Sequence, residues 1–220
     1  MYGMGHFQTV ALWTLLTLLA LLPHQLLACA FAVPLESTCA AELEQHLIAN
    51  IPFQVQRNSN FLHLQTEAGA VSFPIFKENT EEDTEAFLVA YLKDADLAVV
   101  WVFESAGRSV YLINRKTGIQ TQINGFPLLS PDKKRLLVYS EAHTDKENAN
   151  LIVIYQIHHH KLRAELVLSG DDNRLQPWNP MDMRWISPTQ LEFTRLHHQN
   201  GQQEHKKQNL IFERGKWLLH

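Results

Sequence analysis

Residues 97–140 show short apolar runs separated by turn-forming residues. Leu97 to Glu104 (LAVVWVFE) is a continuous apolar run of strand length, which predicts an inner strand covered on both faces. After a break that contains Gly107, SVYLIN resumes the β pattern, and such a break predicts an antiparallel hairpin. From Ile119 to Ile123 apolar and polar residues alternate, so that strand has one buried face and one solvent face.

The same pattern extends along most of the chain and predicts about twelve to fifteen short strands. Leu35 to Asn50 is the one stretch with helical spacing, and Pro52 ends it. We therefore expect an all-β, antiparallel fold preceded by one short helix over residues 37–50. Short four-stranded units would form a propeller-like structure or an irregular β-sandwich, in a single domain over residues 31–220.

One segment resembles a known repeat. Tyr111 to Gly118 (YLINRKTG) is followed by a polar strand, by Phe126-Pro127 and then by Ser130-Pro131-Asp132 before an apolar strand. This order is similar to the blade repeat of TolB-like and WD40-like β-propeller proteins, although Lys133 stands where the TolB repeat has glycine. Trp185 to Phe193 resembles the same repeat in a shorter form. The resemblance implies propeller-like blades and no catalytic residues, because that repeat is a structural unit.

The N-terminal segment predicts export. Val10 to Leu22 is an uncharged apolar run, and two small-x-small sites follow, Ala28-Cys29-Ala30 and Ala30-Phe31-Ala32. Residues 1–30 are therefore expected to be a signal peptide, and the protein to be periplasmic or secreted. An uncleaved anchor over Val10 to Val33 is the alternative, and it would attach the protein to the membrane.

The two cysteines leave the processing of this segment open. Leu26-Leu27-Ala28-Cys29 resembles a lipoprotein box, in which Cys29 would be lipidated and would anchor the protein. Cleavage after Ala30 or Ala32 would instead leave Cys39 as a single thiol, most readily a buried small residue. Cleavage after Ala28 would permit a bridge between Cys29 and Cys39.

The net charge and the motifs of the sequence limit the classes of function that it supports. The chain of 220 residues has a net charge of −4, and its tightest basic cluster, Lys133 to Arg135, is too short for a nucleic-acid patch. Ser130 and Ser187 both precede proline, and neither lies in a G-x-S-x-G elbow. We therefore predict a protein without enzymatic activity, without a cofactor and without affinity for nucleic acid.

Histidines are the candidate metal ligands in this sequence. His158 and His160 have a spacing of two in a predicted hairpin, which would place them on one strand face as ligands for Zn or Cu. The runs that contain them lack the cysteine or carboxylate partners of a defined motif. Surface histidines are the competing interpretation.

Three polar loops are predicted to bind a partner: residues 79–85, 143–150 and 169–180. The candidate binding residues in the last two are His143, Asp171, Asp172, Trp178 and Asn179. Trp178 in the sequence Pro-Trp-Asn-Pro is interpreted as an exposed aromatic anchor in a loop.

The sequence thus predicts an exported protein-protein interaction module whose partner is another protein of the cell envelope. The alternatives are a small exported hydrolase or metal-binding protein that uses the histidine and aspartate loops, and a periplasmic inhibitor or immunity-type protein. A carbohydrate-binding module that uses Trp178 is a further alternative.

Overall fold

The computed structural model describes residues 37–76, 83–105, 107–140, 152–168, 178–199 and 202–220. Within these ranges the chain forms one α-helix, α1 (Ser37–Ile48), followed by fifteen strands in four antiparallel sheets. The first sheet contains β1 (Val55–Arg57), β2 (Phe61–Thr66) and β3 (Gly69–Pro74). The second contains β4 (Glu85–Leu92), β5 (Leu97–Glu104), β6 (Gly107–Asn114) and β7 (Gln120–Ile123).

The third sheet contains β8 (Phe126–Leu129), β9 (Arg135–Tyr139), β10 (Ile152–His158) and β11 (Lys161–Leu168). The fourth contains β12 (Trp178–Ser187), β13 (Gln190–Gln199), β14 (Gln202–Glu213) and β15 (Lys216–Leu219). Each sheet is a meander in which neighbours along the chain are neighbours in space. The predicted all-β, antiparallel architecture of short units with one preceding helix is confirmed.

The sheets stack face to face through three apolar layers. Leu62 and Phe73 of the first sheet share a cluster with Val100 of the second, and Trp101 on the other face of β5 packs with Val138 of the third sheet. Leu137, next to Val138, packs with the fourth sheet. The continuous apolar run of β5 is therefore explained by cover on both of its faces.

The stack is open over the described residues. On the outer face of the first sheet Gln65 and Ser72 are exposed, and on the outer face of the fourth sheet Arg184 and Leu218 are exposed. Both outermost faces carry polar side chains, including the ion pair between Arg184 and Glu192. Polar terminal faces limit further stacking, as they do in the capping units of repeat proteins.

Helix α1 lies against β4, the first strand of the second sheet. Ala40 and Glu44, one helical turn apart, are buried at 0% and 4% exposure. The Glu44 carboxylate accepts hydrogen bonds from the Arg57 guanidinium at 2.7 Å and 2.9 Å and from the backbone N–H of Leu88 at 2.7 Å. Arg57 also donates to the carbonyl of Ala86. A helix side chain and an arginine thus satisfy the free edge of β4.

Because neighbouring strands are antiparallel, successive connections alternate between two ends of the stack. Side-chain bonds between sheets fix which turns share an end: Lys133 pairs with Asp94 at 3.2 Å, and Asn114 Nδ2 donates to the His160 carbonyl at 2.7 Å. We call this the turn end, and it carries the connections at residues 67–68, 93–96, 115–119, 130–134, 159–160, 188–189 and 214–215. The opposite end is the loop end.

The Ser130-Pro131-Asp132 motif forms the turn between β8 and β9. The Ser130 side chain, fully buried, donates to Asp132 Oδ1 at 2.7 Å and accepts the Arg135 N–H at 2.9 Å. Lys133 has a left-handed φ of 61°. This conformation suits glycine better than lysine.

Candidate functional site

The strands that flank the three predicted binding loops all end at the loop end. β3 and β4, β9 and β10, and β11 and β12 are the flanking pairs. The candidate residues His143, Asp171 and Asp172 lie outside the described residues, as does Cys29. The ends of these flanking strands therefore lie at one end of the stack, and the roles of the loop residues stay predictions.

Trp178 and Asn179 lie in a strand, and the prediction that they belong to a loop is wrong. They are the first residues of β12, and they pair with His197 and Leu196 of β13. Pro180 continues this strand, and β12 is an edge strand, which is where proline is tolerated within a sheet. The binding role of Trp178 and Asn179 stays a prediction.

The prediction that His158 and His160 share a strand face is also wrong. His158 is the last residue of β10, whereas His159 and His160 form the turn to β11 with left-handed φ values of 46° and 61°. The His158 ring instead contacts that of His159, with ring centroids 4.0 Å apart and ring planes tilted by 54°. In the described part of the chain no three His, Cys, Asp or Glu side chains are grouped so that they could hold a metal ion.

An aromatic cluster lies at the loop end, between the second and third sheets. Its rings are those of Phe87, Trp101, Phe103 and Phe126. Trp101 is the centre, with ring centroids 6.3 Å from Phe103 and 5.8 Å from Phe126, both at edge-on angles. Phe87 contacts Phe103 at 5.9 Å. Trp101 is buried, but Phe126 is 39% exposed, so the cluster reaches from the core to the surface.

Arg108 adds a cation to this cluster. It is the second residue of β6 and pairs with Phe103 across the hairpin, and its Cζ lies 4.2 Å from the centre of the Trp101 ring. The residue is exposed overall, yet burial of the guanidinium against the ring lowers the pKa of Arg108 from its ordinary value. The group stays cationic at neutral pH, and its outer edge faces solvent.

The indole N–H of Trp101 has no hydrogen-bond partner among the described residues, although Trp101 is only 1% exposed. A buried donor without an acceptor is unfavourable. The aromatic cluster thus combines an exposed ring, a stacked cation and an unsatisfied donor. Arginine and aromatic residues are also the types that contribute most to protein interfaces.

Gly125 sets the position of Phe126. It has a φ of 131°, and a Cβ at this position would overlap the backbone carbonyl of Tyr139. The close approach aligns β8 with β9, where Phe126 pairs with Tyr139. Tyr139 is the last residue of β9, so this strand ends beside the aromatic cluster.

Phe126 and Arg108 were missed by the sequence reasoning. Each is next to a glycine in a hairpin or a turn, so the sequence pattern predicts a turn residue at both positions. The available signal was Phe126-Pro127 itself, because a large aromatic residue before proline at a strand start belongs to an exposed edge strand. The sequence placed Trp101 correctly inside a strand and in the core.

Comparison with known proteins adds no assignment: no protein-family model and no curated protein matches the chain. Over the described ranges there is also no helix of sufficient length and apolar character to cross a membrane.

Proposed function

We propose that this protein is an exported, non-enzymatic interaction module that binds another protein of the cell envelope through its loop end. The observation that carries the proposal is the aromatic cluster, where Phe126 is exposed, Arg108 stacks on Trp101 and the Trp101 N–H lacks a partner. A partner that covers Phe126 and stacks on the exposed side of the Arg108 guanidinium would bury apolar surface next to a fixed cation.

The arrangement of connections supports the same proposal. The strands that flank the three predicted binding loops end at the loop end, which also carries the aromatic cluster. Binding loops placed on one end of a rigid β scaffold are a common design in proteins that recognise other proteins. Export rests on the apolar N-terminal segment and its small-x-small sites.

The resemblance to TolB-like and WD40-like propeller blades is part of this proposal. The S-P-D turn and the shorter turn at residues 188–189 each connect the first two strands of a four-stranded sheet, which supports descent from one blade repeat.

A photo-crosslinking experiment tests the binding surface. A benzophenone amino acid replaces Phe126, which is 39% exposed, and in a control protein it replaces Leu218, which is 42% exposed on the fourth sheet. In envelope extract we expect a discrete adduct from position 126 and none from position 218. Arg108→Ala, introduced with the probe at position 126, should reduce the adduct about tenfold or more.

Two outcomes would contradict the proposal. Adducts of equal yield and pattern from positions 126 and 218 would show non-specific contact. A position-126 adduct that is unchanged by Arg108→Ala would show that the cation stacked on Trp101 takes no part in the interface. Unfolding curves of the variants confirm that each is folded before its yield is compared.

A further inference from the structure

A cleft of about 230 Å³ lies at the turn end, between the hairpins of the second and third sheets. Its apolar wall is formed by Leu97, Leu112 and Leu162. Leu97 and Leu112 are buried at 2% and 1% exposure, so the wall belongs to the core between the two sheets. The cleft is remote from the aromatic cluster, which occupies the other end of the same interface.

Asn114 holds the two sides of the cleft together. It is buried at 6% exposure, and its Nδ2 donates to the His160 carbonyl at 2.7 Å. Its Oδ1 accepts the N–H groups of Lys116 and Thr117, both at 3.0 Å. Because one side chain is bonded to both hairpins, their separation is fixed, and a ligand would meet a preformed site.

The turn at His159 and His160 is unusual. Both residues have left-handed φ values, 46° and 61°, in a two-residue hairpin turn that ordinarily takes Asn-Gly. Strained backbone of this kind is concentrated at binding sites. Here the turn brings the His160 carbonyl to Asn114 and brings His160 and Lys161 to the cleft.

The polar groups favour an anion. Lys161, Thr121 and His160 are among the lining residues, and none of the described lining residues is acidic. The carboxylates of the neighbouring β4–β5 turn have partners of their own. Asp94 pairs with Lys133 at 3.2 Å, and Asp96 accepts the Tyr91 hydroxyl at 2.9 Å and lies 3.8 Å from Arg115. They therefore repel an anion less than free carboxylates would.

We propose that this cleft binds a small organic carboxylate with a short apolar body. The body would pack on the leucine wall, and the carboxylate would bind the Lys161 ammonium with support from the Thr121 hydroxyl. At about 30 Å³ per water-sized group, the volume holds roughly eight non-hydrogen atoms. Hexanoate has this size, and hexanamide is its uncharged match.

The test is a titration of the folded protein with hexanoate and with hexanamide, followed by amide chemical shifts. We expect hexanoate to bind with a Kd on the order of 1 mM, with shifts confined to the two hairpins. Hexanamide should bind about tenfold more weakly. Thr121→Leu, which places more side chain in the cleft, should weaken hexanoate about fivefold.

Lys161→Met should weaken hexanoate about tenfold, because it keeps the apolar stem and removes the charge. Lys216→Met is the matched control, since Lys216 also follows a two-residue hairpin turn at the turn end and is exposed. Equal affinity for hexanoate and hexanamide, or an equal loss in the two lysine variants, would overturn the proposal. So would the absence of hairpin shifts at about 20 mM hexanoate, where a site of the expected affinity is nearly saturated.

Discussion

The Glu44 carboxylate accepts the backbone N–H of Leu88 at 2.7 Å, so a helix side chain takes the place of a neighbouring strand at the edge of β4. Arg57 completes this arrangement, since it binds the same carboxylate and donates to the Ala86 carbonyl. An exposed strand edge is a template for pairing with other chains. The pair therefore fastens α1 to the second sheet and occupies two of the backbone groups at this edge.

Removal of this carboxylate should destabilise the protein. Glu44→Ala leaves the Leu88 N–H and the Arg57 guanidinium without their acceptor, and we expect the free energy of unfolding to fall by about 2–4 kcal/mol. Glu42→Ala, an exposed change in the same helix, should cost less than about 0.5 kcal/mol. Urea unfolding measures both values, and equal effects of the two substitutions would contradict this role of Glu44.

Lys133→Gly should stabilise the protein by about 0.5–1 kcal/mol, because Lys133 has a φ of 61° and glycine adopts this region without strain. The lost ion pair with Asp94 joins two side chains that are 48% and 57% exposed, so it offsets little. Lys134→Gly lacks this conformational benefit and should lower stability. Thermal and urea unfolding measure the stability of both variants. A loss of stability in Lys133→Gly would mean that the ion pair contributes more than the backbone strain costs.

The sequence was sufficient to predict those features that are determined by residues near one another in the chain. The apolar run of β5, the S-P-D turn and the spacing of α1 could each be read from neighbouring residues. The His159-His160 turn could not, because its conformation is favoured by the tertiary bond from Asn114, 46 positions away in the chain from His160. The Glu44–Arg57 pair could not be predicted either, because it also depends on a tertiary contact. The aromatic cluster forms only when the second and third sheets stack.

The S-P-D turn should contribute a pH-dependent part of the stability. Burial opposes ionisation of Asp132, but the Ser130 hydroxyl, the Lys134 N–H and the charges of Arg135 and Lys134 together hold its pKa below the ordinary value of 3.8. The contribution is therefore present above that value and is lost as pH falls through the lower folded pKa. The stability gap between the native protein and Asp132→Asn should be largest near pH 7 and shrink below about pH 4. Urea unfolding at both ends of this pH range measures the gap. A gap that widens as the pH falls would contradict the predicted direction of the pH dependence.

Gly125→Ala should be among the most destabilising single changes in the second and third sheets. The new Cβ would overlap the Tyr139 carbonyl, in addition to the strain of a φ of 131°. Gly69→Ala is a close control, because Gly69 has a φ of 130° and a Cβ there would meet nothing within 4 Å. We expect the free energy of unfolding, measured with urea, to fall by about 3–4 kcal/mol for Gly125→Ala and by about 1–2 kcal/mol for Gly69→Ala. Equal losses would show that the contact with Tyr139 relaxes at no cost.

Cys39 is disulfide-bonded, and the sequence contains two cysteines, of which the other is Cys29. Under the export that we propose, a bridge within the chain therefore requires Cys29 to remain after cleavage with an unmodified sulfur. We expect cleavage after Ala28 rather than after Ala30 or Ala32, and no lipid on Cys29. The intact mass of the protein purified from its natural host should match a chain that begins at Cys29, lower by two hydrogen atoms, and reduction should restore them. Cys39→Ser should leave one thiol that reacts with maleimide. A mass that corresponds to a start at Phe31 or Val33, or one that carries acyl groups, would exclude the bridge.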